Sequence, residues 1–376
     1  MIKLITAQEF PSYTAPKSRQ AAFVYQYMQP FMQLGSWHVI SNLQTETMLL
    51  EVDGILLPVT KNETQYQNSY VTSLFTHYIT YAKEEINIVK LKWGKAFLFL
   101  LLKILGRISK AAKINQVIIV NNFMLSTNLY SPLSKEQYQN ILAFLTRCFP
   151  YHLIMFRSLN EDYNKKEIDI LTSLHCQKLM SRRVYLLKKE NIKSIHRKNL
   201  RKDQKLIEKN HYRFTKASEE DVADVKYFYD SLYLEKYSKL NPQFTEIFYK
   251  NIIKYNLFDI YMLKQETLSK GVCGLFSAGG GITAPIFGYS PAAPREEGLY
   301  RVLSLWGIDL INRGSHLKIN FSSGVSDFKR CRGALGTTEY SLIFYRHLPL
   351  YRKFFWKGFC CFINHLVLPM MIWKKY

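Results

Sequence analysis

Apolar positions along this chain change period several times, and each change marks an element. Leu299, Val302, Leu303, Trp306 and Leu310 recur at helical spacing and form one apolar stripe. Leu317, Ile319 and Phe321 then alternate with Lys318, Asn320 and Ser322, which predicts a half-buried strand. Arg313-Gly314 lies between them and supplies a helix stop. Upstream, GVCGLFSA and ITAPIFGY joined by Gly279, Gly280 and Gly281 read as a hairpin, and downstream EYSLIFY (339–345) reads as a further strand closed by His347-Leu348-Pro349. Nearer the N-terminus, VDGILLPV (52–59), QVIIVNN (116–122) and part of 145–159 read as buried strands with helices between them. Strands alternating with helices predict an α/β (α+β) fold, a sheet covered by helices.

Three stretches depart from that pattern. KLKWGKAFLFLLLKILGRISKAAK sets Lys92, Lys95, Lys103, Arg107 and Lys110 on one helical face and Phe97, Leu101, Ile104, Leu105 and Ile108 on the other. Two accounts fit: a sheet-covering helix with a solvated basic face, which is preferred because a sheet needs such a cover, and a membrane-surface helix. Residues 178–209 hold twelve Lys/Arg against Glu190, Asp203 and Glu208, a run that reads as a solvated face and continues into a polar helix. Ser218 and the acids after it open the next helix, giving a boundary near residue 190. The tail from Phe354 to Trp373 is mostly apolar but interrupted by Lys357, Asn364, His365 and Pro369. It fits a monotopic anchor or a helix packed on the core; under the first account, removing 350–376 frees the protein from membranes without unfolding it.

Composition adds charge. The chain has 51 Lys+Arg against 29 Asp+Glu, a net +22, which attracts nucleic acid, anionic lipid, phosphorylated cofactors or acidic carrier proteins without choosing among them. Aromatic content of 15% makes ring-lined clefts easy to build. The six cysteines follow no ligand spacing, so neither a disulfide scaffold nor a metal site is expected. MIKLITAQEF shows no secretory signal pattern, so the expected location is cytoplasmic, with the tail offering attachment to the inner face of the plasma membrane.

The order of residues 286–333, with Gly288-Tyr289, the GLYR segment at 298–301 and the Phe328-Lys329 loop closing at Gly333, resembles the C-terminal half of a GNAT-like acyltransferase of the Fem-type branch, which includes peptidoglycan aminoacyltransferases. The resemblance covers 190–348 well and the first half loosely. It implies tandem GNAT-like domains, each a mixed, mostly antiparallel sheet covered by helices, over 1–190 and 191–348, with a basic-aromatic tail at 349–376. It implies transfer of an acyl or aminoacyl group to an amine acceptor: an amino acid, a lipid-linked amine or a cell-wall precursor. The donor is acyl-CoA, acyl-carrier protein or aminoacyl-tRNA, with no permanently bound cofactor. The pyrophosphate loop of ordinary GNAT enzymes is missing here, which sets coenzyme A binding in the usual mode apart.

Acyl transfer to an amine needs a donor slot, a deprotonated amine and positive charge where the oxyanion develops. No GxSxG or Cys/His pair is required. Lys329 matches the Fem-type lysine that meets substrate or developing charge, and its loop reads as exposed, so Lys329→Ala is expected to cost rate and not stability. Tyr289 is a hydrogen-bonding candidate or a core tyrosine, and Glu235 a general base or a helix-end surface acid. Phe328, Arg330, Arg332, Ser323, Tyr300, Arg301, Asn241 and Arg157 complete the candidate binding set. Asn241-Pro242 is expected to expose Glu235, Ser238 and Asn241 at a turn. Glu296 and Glu297 oppose an anion at the helix start. The basic helix 193–209, with Arg330 and Arg332, is expected to dock an anionic donor. A non-catalytic protein binding anionic membrane or nucleic acid is the other class that fits.

Overall fold

A computed structural model of the chain describes residues 1–88, 94–313 and 318–367. The expected positions of Lys92, Gly314, Leu317, Pro369 and Trp373 lie outside the described residues. Twelve strands are described: β1 (Ile2–Ile5), β2 (Glu46–Val52), β3 (Ile55–Asn62), β4 (Val117–Val120), β5 (Leu153–Leu159), β6 (Gln177–Lys188), β7 (Tyr212–Lys216), β8 (Asp259–Gln265), β9 (Leu268–Ala278), β10 (Gly281–Tyr289), β11 (Lys318–Asn320) and β12 (Leu335–Phe344). They form one sheet in the order β1-β2-β3-β4-β5-β12-β6-β11-β10-β9-β8-β7.

That order has an internal symmetry. Shifting every strand number by six and reading the list backwards returns the same list. Pairings follow the same rule: β4/β5 and β10/β11 are parallel, and every other pair is antiparallel. The fold is therefore two topologically equivalent six-strand units in tandem, and each sends its sixth strand into the other. β12 enters between β5 and β6, and β6 enters between β11 and β12.

Helices occupy matching places. α1 (Arg19–Leu34) and α2 (Ser36–Val39) separate β1 from β2, as α8 (Val222–Tyr229), a π-helical stretch (Asp230–Tyr237) and α9 (Glu246–Lys254) separate β7 from β8. α5 (Lys135–Cys148) links β4 to β5, and α10 (Leu299–Arg313) links β10 to β11. α6 (Glu161–Ser173) and α11 (Ser326–Arg330) precede the sixth strands; α7 (Ser194–Lys209) and α12 (Leu350–Phe362) follow them. Only the first unit carries a long excursion between its third and fourth strands, with α3 (Tyr81–Ile88) and α4 (Lys95–Ala111). The matching β9–β10 link is the tight glycine turn, with Gly279 and Gly280 at positive φ.

Several expectations change. VDGILLPV is not one strand: Asp53 and Gly54 take left-handed backbone and turn β2 into β3. The charge run begins as a strand, β6, and only its second part is the helix α7. The Phe328-Lys329 segment is helical, inside α11. α4 is apolar on two sides: Leu98, Phe99, Leu102 and Leu105 are half-buried beside the buried Gly106 and Ser109, with Phe75 and Ile79 against Gly106, while Phe97, Leu100, Leu101, Ile104 and Ile108 are exposed, so the expected apolar face is split. The tail begins as core. Trp356, Phe359, Cys360 and Ile363 pack on Leu74, Tyr78, Val117, Met155 and Leu179, and buried Arg352 donates to main-chain oxygens of Lys113, Gln116 and Tyr151. Deleting 350–376 removes that core, so its expected harmlessness does not hold. No described helix is long and apolar enough to cross a membrane.

Candidate active site

β10 and β11 hydrogen-bond in parallel only from Gly281/Lys318 to Thr283/Asn320. Beyond that, Phe321 N donates to Tyr185 O of β6 at 2.9 Å, while β10 continues to Tyr289 beside β9. The two strands fork. A parallel pair that parts leaves its inner main-chain groups and side chains free to line a slot. Gly288 sets one wall: a Cβ there would meet Phe228 O at 2.1 Å, so only glycine lets α8 press against the strand end, and the π-helical stretch that follows brings Lys236 to Tyr289.

The fork gathers several of the candidates. Tyr300 lies edge-on to Phe328 at 4.7 Å and to Tyr289 at 6.4 Å between ring centroids. Lys236 Nζ donates to Tyr289 Oη at 3.2 Å, which leaves the phenol hydrogen of Tyr289 for another acceptor. Burial pushes the Tyr300 phenol up, with Tyr237 and Tyr289 adding to it. Tyr185, buried in β6, has its Oη without a partner among the described residues, and Lys329 Nζ sits 5.7 Å from its ring centroid.

Lys329 is not an exposed loop lysine. It is 4% exposed, and its ammonium donates to Phe321 O (2.7 Å), Ser322 O (3.2 Å) and Ser323 O (2.7 Å). Burial lowers its pKa to about 7, and the Arg182 cation adds to the shift. The segment it gathers is unusual: Ser322, Gly324 and Val325 all have positive φ, and Val325 is β-branched. Such backbone persists where surrounding contacts hold it. Lys329 is that contact, so Ser323 meets it through its carbonyl.

The arginines are less free than their number suggests. Asp203, the one buried residue of α7, receives Arg301 Nε at 2.6 Å and Arg332 Nε at 2.7 Å. Arg332 also stacks on Phe328 at 3.6 Å and donates to its carbonyl. Arg332 thus ties α7 to the α11 end and is not available to an incoming anion, against the docking role expected of it. Arg330 pairs with Asp327. Glu297 accepts from Tyr212 and Lys270, so it is engaged as well.

Asn241 and Arg157 lie apart from this group. Asn241 and Ser238 are buried, contrary to expectation: Asn241 Nδ2 donates to Tyr233 O and Ser238 O, and Ser238 Oγ to Glu84. Of the three residues expected at the surface there, Glu235 alone is exposed. Arg157 sits at the end of β5, where its guanidinium donates to Val71 O, Leu125 O and Ser126 O and to Asn122 Oδ1.

Beside Arg157 lies a charged group that sequence reasoning missed. Arg182 of β6 pairs with Glu339 of β12 (Nε–Oε1 2.9 Å), and Glu339 is buried. Burial works against the Arg182 charge, but Glu339 outweighs it and the pKa rises. His77, bonded to Ser181 Oγ at 3.2 Å, is held down to about 3 by burial and by Arg157 and Arg182, so it is neutral at ordinary pH. No local signal marks the Arg182–Glu339 pair: Arg182 stands between Ser181 and Arg183, and Glu339 between Thr338 and Tyr340, so neither is unusual in its own strand. A polar cavity of about 150 Å³, lined by Ser158, Asn160, Tyr163, Glu167, Gly279 and Asn320 among others, adjoins this side.

The strand plan and its fork give a GNAT-like fold in the tandem arrangement of the Fem type. FemX is similar over 94% of this chain and 99% of its own, with a TM-score of 0.50 at 9% identity. A conserved protein of unknown function from Bacteroides thetaiotaomicron is similar over 91% of this chain and 99% of its own (TM-score 0.48, 8% identity), and L-PGS from Bacillus licheniformis over 55% and 72% (TM-score 0.42, 15% identity). No family model matches the sequence, and no curated protein matches it. At such identities the likeness is one of fold.

Proposed function

We propose that this protein is an N-acyltransferase, moving an acyl or aminoacyl group from an activated donor to an amine, with the β10/β11 fork as its site. One observation carries the reading: a buried ammonium, Lys329, stands at the fork with Tyr289, Tyr300 and Phe328. The amine lone pair attacks the donor carbonyl, the carbonyl electrons move to oxygen, and the tetrahedral oxyanion forms near Lys329. Ser322 O, the longest of its three contacts at 3.2 Å, is the one that gives way to that oxygen. Collapse expels the donor's leaving group, which takes the Tyr289 phenol proton or hydrogen bond. The amine's surplus proton leaves to a base; Glu235, next to Lys236, fills that part.

The donor is anionic. Arg197, Lys198, Arg201, Lys202 and Lys205 of α7 are exposed. The start of α10 has Glu296 and Glu297 where a pyrophosphate would sit. This favours aminoacyl-tRNA or an acidic acyl-carrier protein over coenzyme A held in the usual mode. The same exposed cations favour the second reading, a non-catalytic binder of anionic membrane or nucleic acid. We keep 1–190 and 191–348 as the two units.

The test is a donor panel. Purified protein is incubated with an amine mixture and, separately, aminoacyl-tRNA, acyl-carrier protein or acyl-CoA, and products are read by mass spectrometry. A new amide formed by wild type and lost in Lys329→Met supports the reading. Donor binding with no amide from any arm leaves the non-catalytic reading standing.

A further inference from the structure

We propose that α4 is a membrane-docking helix that seats the protein on an anionic lipid surface. The two units have the same strand plan, and the second joins its third and fourth strands with a glycine turn. The sheet therefore closes without the excursion that holds α4. Yet that excursion shows solvent an apolar stripe: Phe97 is 66% exposed, Leu100 55%, Ile104 45% and Ile108 51%, with Leu101 beside them. Their spacing places them on one side of the helix, opposite Gly106 and Ser109, the buried pair. Leu98, Phe99, Leu102 and Leu105 lie half-buried on the packed side with that pair, so α4 already has its apolar packing face and the exposed stripe is a second one, in excess of what a surface helix on a globular protein needs.

Charge selects the occupant. α4 has Lys95, Lys103, Arg107 and Lys110 and no acidic residue. Lys103 and Arg107 are exposed on the flank of the stripe, and Lys110 lies over the Tyr66 and Phe75 rings at 5.0 Å. α12, packed on the same core, also lacks acids and turns Phe354 outward at 72% exposure. An apolar stripe with a cationic flank, on a chain of net +22, matches an interface of acyl chains beneath anionic headgroups. A second copy of this chain would bring like charge to the same face.

The experiment is co-sedimentation of the full chain with vesicles of phosphatidylcholine alone or with phosphatidylglycerol as the minority lipid. Binding is expected to the mixed vesicles, weakened by salt, and lost by about tenfold or more in Leu101→Glu/Ile104→Glu, since each change removes over a kilocalorie of apolar burial. Lys103→Glu/Arg107→Glu, which leaves the stripe intact, should lose the preference for phosphatidylglycerol; it also serves if the first variant fails to fold by circular dichroism. Equal sedimentation of wild type and both variants overturns the proposal. So does a dimer that Leu101→Glu/Ile104→Glu dissolves while lipid binding is absent, or lipid binding that appears only after residues 368–376 are removed.

Discussion

The two forks of this sheet share a topology and differ in what fills them. Where β4 and β5 part, the charged and amide side chains are held by the protein itself, beside the small polar cavity. Asn122 donates to Thr60 Oγ1 at 2.8 Å and to Val71 O, Arg157 to Leu125 O at 2.9 Å, and all of these residues are buried. Where β10 and β11 part, the lining is aromatic, the Tyr185 phenol lacks a partner among the described residues, and one lysine is clamped by carbonyls. The first fork spends its amide and its guanidinium on the protein's own acceptors. The second keeps a phenol hydrogen and a perturbed ammonium for something else. Topology alone therefore does not make a site; the side chains at the parting point do.

The comparison can be broken at several strengths. The largest effect should come from deleting residues 350–376. Trp356, Phe359, Cys360 and Ile363 are each at most 5% exposed, and large core residues are worth about 2–5 kcal/mol apiece, against about 5–15 for a whole domain. The truncated chain should lose its cooperative melting transition; a normal transition shows that α12 is an appendage.

Next, Glu339→Ala leaves Arg157 and Arg182 without their buried acid and should cost about 3–5 kcal/mol in a urea titration. A loss below about 1 kcal/mol means the first-fork side is wetter than drawn.

Lys329→Met should slow amide formation about a hundredfold or more. Its stability is a separate readout, because the change leaves Phe321, Ser322 and Ser323 carbonyls without their donor while relieving a buried charge. Wild-type turnover in a folded Lys329→Met would reduce the lysine to a loop clamp.

The same residue gives a pH test. Its folded pKa is about 7 against an ordinary value of 10.5, so between those limits the unfolded chain holds more proton. Its contribution to stability must therefore rise with pH from about 7 to 10.5, being most unfavourable below 7. Activity that needs the ammonium should fall as pH rises through about 7. Subtracting the Lys329→Met stability profile from wild type isolates this slope, and a flat difference removes the shifted lysine from the account. The smallest effect belongs to Tyr289→Phe, about tenfold in rate for one hydrogen bond; a change below twofold would place the phenol outside the reaction.

Much of the fold was legible. The stripe from Leu299, the glycine-linked hairpin and the strand at 339–345 all stand close to where periodicity put them, because burying one face fixes a period locally. Part of the candidate site's grouping was legible too: the Tyr300 ring lies against those of Tyr289 and Phe328, and Lys329 follows Phe328 and faces the Tyr185 ring. Their state was not. Lys329 reads as a surface residue among basic neighbours, and only the inward turn of Ser322 and Val325 buries it. Arg301 and Arg332 read as free cations, and only α7, more than 90 residues away, supplies Asp203.

What the sequence determined by itself is the kind of each element and which of its sides is apolar. Both depend on residues within a turn or two. What the tertiary structure decided is what each side faces. The exchange of β6 and β12 between the units pairs residues far apart in the chain, such as Arg182 with Glu339, and periodicity carries no information on that. The α4 stripe shows the same limit: its pattern is that of a covering helix, but the packing uses the side with Leu98, Leu102, Leu105, Gly106 and Ser109 and leaves a second apolar side to solvent. An amphipathic pattern states that a face wants an apolar partner; only the assembled chain shows whether that partner is its own core.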